Sequence, residues 1–175
     1  MTQSVLQSIA AADLPERGQP LAGGVFVTRY WLNGQERALV LMPDEFEGAW
    51  GEYGTEIKGA GSYSDGEANT RAMAEAGSQI AIKALELGAF IPSCLEGQLV
   101  MAAKADGLVT LREDRFHWLS SQFSAFSAYG MDFEGGWLYY GVKNGERLVR
   151  PVRSLILQQF TPSFLSLQAI PGSSD

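Results

Sequence analysis

Two helix-start signatures stand in the middle of this chain, Ser64-x-x-Glu67 and Ser93-x-x-Glu96, with strand-like sequence on both sides of them. In such a capping box the serine side chain takes an orphan amide three residues on, and the glutamate reaches back to the serine amide. After the first box Met73, Ala76, Ile80, Ala84 and Leu87 recur at helical spacing and Gly88 stops the run, which predicts a helix over 66–87. After the second, Leu95, Leu99 and Ala102 or Ala103 face one way and Gly107 ends a shorter helix over 94–105.

The flanks read as strands. Val25 to Trp31 is β-branched and aromatic, Asn33-Gly34 suits a two-residue turn of positive φ, and Ala38 to Met42 returns as a buried apolar strand. Residues 43–64 read as an acidic loop that Phe46, Trp50 and Tyr53 pin to the body. Beyond the helices, Phe116–Leu119, Tyr129–Phe133 and Trp137–Val142 read as strands, and Asn144-Gly145 as a tight turn. Residues 148–153 read as a last strand that Pro151 confines to an edge or a bulge. The predicted class is α+β, with two helices packed on a mixed, mostly antiparallel sheet. The expected organisation is an arm over 1–20, one domain over 21–160 and a tail over 161–175, the first part of which carries Phe164, Leu165 and Leu167.

At 175 residues the chain has the size of one domain and needs no covalent staples to fold. Cys94 is its one cysteine, which rules out an intrachain disulfide and suits a reducing compartment. The first residues show no signal-peptide pattern and no stretch is apolar enough to span a bilayer, so the expected location is cytoplasmic, with no membrane partner. The net charge of −7 argues against general nucleic-acid binding, which rests on clustered lysine and arginine. The acids concentrate before residue 100, leaving a local anion site open in the second half. A homo-oligomer also stays open.

Catalytic signatures are scarce. His117 beside Trp118 reads as a packed residue, Cys94 as a small helix residue, and neither has an evident catalytic partner. No phosphate loop, dinucleotide fingerprint or zinc ligand set is present, so no cofactor and no metal are expected. The segment from Trp118 to Tyr140 instead combines tryptophan, tyrosine, phenylalanine and serine, the residues of recognition surfaces. Phe116, Trp118, Phe133 and Leu138 are expected in the core. The candidate binding residues are Ser121, Gln122, Ser124, Phe126, Tyr129, Trp137, Tyr139 and Tyr140, with Lys143, Arg147 and Arg150 as cations for a phosphate or carboxylate. Ser120, Ser121, Ser124 and Ser127 are expected to be exposed.

Trp118-Leu119-Ser120-Ser121, Tyr129, Asp132-Phe133, Gly136, Lys143-Asn144 and Val149-Arg150-Pro151-Val152-Arg153 resemble the Lcl C-terminal domain family. Upstream, Asp65-Gly66-Glu67-Ala68-Asn69-Thr70 and Ile91-Pro92-Ser93 with Glu96 resemble its bacteriophage and prophage branch. The resemblance spans roughly residues 24–155. It implies a C-type-lectin-like fold whose β-strand at 148–153 closes against the strand near 24–32, and an aromatic-rich ligand surface. Three functions compete. The first is a non-enzymatic, phage-type intracellular binding protein, with counter-defence as its narrowest form, acting on a host protein or on a small anionic or nucleotide ligand. The second is a receptor-binding or adhesion module of a virion or cell surface. The third is an enzyme of unrecognised type. The residues favour the first.

Overall fold

The computed structural model describes residues 7–159. It is an α+β structure with three α-helices and two five-stranded sheets among the described residues. The first sheet runs β1 (Ser8–Ala10), β10 (Val152–Gln158), β4 (Gln35–Leu41), β3 (Gly24–Leu32), β2 (Pro20–Leu21). The second runs β5 (Phe46–Ala49), β9 (Glu146–Val149), β6 (His117–Gln122), β7 (Ser127–Asp132), β8 (Trp137–Val142). The pairs are antiparallel except β1 with β10 and β6 with β9.

The hairpin forms as its residues require: Asn33 and Gly34 take φ of 51° and 74° between β3 and β4. On β4, Leu39 and Leu41 face one core while Ala38 and Val40 face another, so both faces of the first sheet are covered. One face packs on α3 (Cys94–Ala105), which is sandwiched against β6 and β7 of the second sheet. The other is covered by Ile9 and Leu14 from the expected N-terminal arm and by Leu21 just beyond it. The second sheet holds α1 (Gly66–Glu75) and α2 (Gln79–Glu86) against Trp50, Trp118 and Val149. Trp118 and Phe133 are buried as expected.

Several expectations are corrected. The single helix over 66–87 is two, because Gly77 takes φ 92° and Ser78 N–H closes back on the Met73 carbonyl, ending α1. The first cap is Asp65, whose carboxylate accepts from Ala68 N–H, while Glu67 pairs with Arg71 instead of reaching back to Ser64. The second box forms as read: Ser93 Oγ accepts from Glu96 N–H and Glu96 Oε1 from Ser93 N–H. The loop over 43–64 contains a strand, β5, paired with β9. The strand over 148–153 is divided at Arg150-Pro151 between β9 and β10, and β10 lies beside β4, not beside the strand at 24–32. Asn144-Gly145 does turn, with Gly145 N–H on the Val142 carbonyl, yet β8 and β9 are not neighbours. Phe116 is exposed and Leu138 half-buried, so neither is the sealed core residue expected. The expected tail over 161–175 lies outside the described residues.

Candidate binding surface

The candidate residues divide according to what the fold has already taken. Ser120 and Ser121 are buried, not exposed as expected. Ser121 Oγ donates to the Ser62 carbonyl and accepts from Cys94 N–H, tying β6 to the start of α3. Gln122 pairs with the backbone of Ile57 in both directions, as a strand residue would. Lys143 is fully buried: its Nζ donates to the Thr55 carbonyl at 2.7 Å and to Gln122 Oε1 at 2.6 Å, and stands 4.8 Å from the Trp50 ring centre. Burial pushes this ammonium below the usual lysine range, with Glu56 pulling the other way.

Arg150 is likewise spent internally, donating to the carbonyls of Met42 and Thr110. Arg153 donates to three carbonyls, those of Gly88, Ala22 and Leu87. The closing Val-Arg-Pro-Val-Arg stretch is therefore a structural clamp. Two acids of the 43–64 loop pair with other arginines, Glu45 with Arg112 and Glu47 with Arg115.

The remaining candidates lie on the two faces of β7 and β8. On one face Tyr139 lies over Gly130, where a Cβ would fall 2.5 Å from its ring, and packs on Phe116 at 4.4 Å. Arg147 stands about equally far from the Phe116 and Trp118 rings, 6.0 and 5.9 Å. Burial raises the Tyr139 hydroxyl to about 12 against the pull of Arg147, and that oxygen has no hydrogen-bond partner among the described residues.

On the other face Tyr129 stands opposite Tyr140, and Phe123 stacks flat on Tyr140 at 4.3 Å and edge-on to Tyr129 at 5.5 Å. The 123–126 turn, held by Ser124 Oγ accepting from Phe126 and Ser127 N–H, also presents Phe126. Phe126 packs on Tyr53 at 5.1 Å, and both are about half exposed. The result is an aromatic ledge along β8 and the adjoining turn. Trp137, 72% exposed, stands at the far end of β8 on the Tyr139 face.

Phe123 and Tyr53 were missed by sequence reading. Phe123 carries the signal of its neighbours, an aromatic within the same turn. Tyr53 carries none, since its partner is remote in sequence. Two concavities, about 340 Å³ between α2 and β5 and about 250 Å³ beside Phe116 and Asp132, do not include the ledge.

His117 is sealed in the core edge-on to Phe133, and burial pushes its imidazole down to about 4. Cys94 is buried and its thiol is pushed up by burial. No three His, Cys, Asp or Glu side chains gather to hold a metal ion among the described residues, and no helix there is long and apolar enough to cross a membrane. Comparison with protein-family models and with curated proteins finds no match to this chain.

Proposed function

We propose that this chain is a non-enzymatic binding protein that docks a partner protein on the aromatic ledge of β8 and the 123–126 turn. The observation that carries the reading is the exposure of that ledge: Tyr53, Phe123, Phe126 and Tyr140 are each about half exposed yet packed in two pairs, Tyr53 with Phe126 and Phe123 with Tyr140. Rigid aromatics held in place by their neighbours bind at low entropic cost, which is the property of interface anchors. A protein partner is favoured over a nucleotide, because Lys143 and Arg150, two of the three cations suited to a phosphate, are committed to internal oxygens. His117 and Cys94, the residues most suited to acid–base or nucleophilic work, are both buried, which favours binding over catalysis.

The C-type-lectin-like fold and the likeness to the bacteriophage branch of the Lcl C-terminal domain family belong to the same proposal. They are supported by the motifs quoted above and by the α+β class of the fold, while β10 pairs with β4 instead of the strand at 24–32. On this reading the protein works in the cytoplasm of the host cell and covers a host protein surface, in the manner of a counter-defence factor.

A photo-crosslinking residue at Phe126 tests the reading in the cells that make the protein. A single adduct is expected there, absent when the crosslinker replaces the exposed Trp31 on the other sheet, and lost on adding Tyr140→Ser. Equal adducts at both positions, or none at Phe126, would sink it.

A further inference from the structure

Every sheet edge must be guarded or used. Among the described residues, three of the four edges are short or guarded: β1 has three residues, β2 is Pro20–Leu21, and β5 has four with Glu47 among them. The fourth, β8, is different. It is Trp-Leu-Tyr-Tyr-Gly-Val, six residues with no charge and no proline, and its register with β7 is unbroken by any bulge.

The direction of its open hydrogen bonds follows from the ladder. Lys143 N–H donates to the Phe126 carbonyl, so residues two and four back along β8, Gly141 and Tyr139, also bond toward β7. The groups that point outward are then those of Leu138 and Tyr140, with the N–H of Val142, whose carbonyl takes Gly145 N–H. These same residues carry side chains on the ledge face, since Tyr140 stacks on Phe123.

Charge selects the occupant. Glu134 lies in the turn before β8 and Glu146 follows the turn after it, both exposed. Glu52 and Glu56, also exposed, flank Tyr53 in the loop that Lys143 ties to this end of the strand. None of the four forms an ion pair among the described residues. The opposing charges nearby are the exposed Lys58, the buried Lys143, and Arg147 on the opposite face. A second copy paired across a two-fold axis would bring these acids against their own kind.

We propose that β8 takes an extended, lysine- or arginine-bearing segment of the partner as an added strand, with its apolar side chains on the aromatic ledge and its cations near Glu52, Glu56, Glu134 and Glu146. This deepens the ledge reading and rests on it. Main-chain bonds supply affinity in such strand addition, and the side chains supply selection.

The test uses the full chain and two ten-residue peptides, one alternating valine with arginine and the other valine with glutamate. The arginine peptide is expected to slow amide exchange at Leu138, Tyr140 and Val142, leave Tyr139 and Gly141 unchanged, and bind more weakly as salt rises. The glutamate peptide is expected to do none of this. Val142→Pro removes one outward N–H without touching the β7 ladder or the ledge aromatics, and should weaken binding at least tenfold, whereas Val142→Ala, which trims the same ledge-face side chain but keeps the N–H, should not; the wild-type exchange pattern reads the same pairing without any variant. If Tyr140→Ser and Phe126→Ser weaken binding while Val142→Pro does not and the three amides stay unprotected, strand addition is overturned and the ledge stands. If the ledge variants also bind as wild type, both readings fall. Equal binding of the glutamate peptide, or protection of the three amides in a dimer of the chain alone, overturns the proposal.

Discussion

A lysine ammonium enclosed between Thr55, Gln122 and the Trp50 ring stabilises a loop, not a ligand. Each bond from a charged donor is worth about 1.5–3 kcal/mol, and removing the donor leaves buried oxygens unsatisfied. Lys143→Ala is therefore expected to cost about 3 kcal/mol in chemical denaturation, with the loss of protection centred on residues 50–57. Lys143→Met, which keeps the stem over Trp50, should cost less. His117 gives a prediction in pH. Burial, with Arg150, Arg112 and Arg115 nearby, holds its folded-state pKa near 4, below the usual 6.5. The unfolded chain then binds the extra proton, so stability is present above about pH 6.5 and is lost as pH falls toward 4. The loss amounts to about 3 kcal/mol. Glu96, whose carboxyl burial pushes up, works in the opposite direction. The measurement is therefore the difference between wild type and His117→Leu across pH 7 to 4, and a difference independent of pH would refute the account. The sequence placed His117 inside but did not show that Lys143 and Arg150 were committed, because their acceptors are carbonyls and an amide remote in sequence.

Local chemistry made the elements legible where it acted within a few residues. The Asn33-Gly34 turn and the Ser93–Glu96 box formed as written because each needs only its own neighbours. The break at Gly77 was hidden because apolar spacing continues across it, and β5 because the glycines and acids around it read as loop while its partner β9 lies about a hundred residues on. Glu96 shows how a local signal acquires a distant purpose: beyond its cap, Oε1 accepts from Gly66 N–H at the start of α1 and Oε2 from the Tyr30 hydroxyl on β3. Ser93→Ala removes the cap alone and should cost about 1 kcal/mol. Glu96→Ala strands the Gly66 and Ser93 amides in the core and leaves the Tyr30 hydroxyl with Ser154 alone, and should cost about 3–5 kcal/mol at roughly 1–3 kcal/mol per orphaned group, less what relaxation recovers. Thermal unfolding of the two variants side by side checks the ratio. Equal costs would mean that Glu96 acts only as a cap.

At the scale of the molecule, the chain passes between the two sheets twice, first from β4 at Leu41 to β5 at Phe46 and last at the crossing from β9 at Val149 to β10 at Val152. The sequence showed a fairly specific pair of arginines here and read Arg150 as a ligand contact. The structure gives both a different task, because each spans elements far apart in the chain. Arg150 ties the crossing to Met42 at the end of β4 and to Thr110 beyond α3. Arg153 ties β10 to the Ala22 carbonyl beside β2 and to the Leu87 and Gly88 carbonyls that end α2. A planar guanidinium reaches three carbonyls at once, and a lysine cannot reproduce that geometry. If the clamp is what makes the two sheets unfold together, Arg153→Ala should lower stability by about 2–4 kcal/mol, and Arg153→Lys should recover little of it. The distinguishing readout is amide exchange in both sheets. Faster exchange should appear together at β4 in the first sheet and at β6 in the second, within one unfolding transition, because α3 lies between them and the crossing holds both. Loss confined to β10 and the end of α2 would show instead that Arg153 secures only its own strand, and that cooperation between the sheets comes from the shared core.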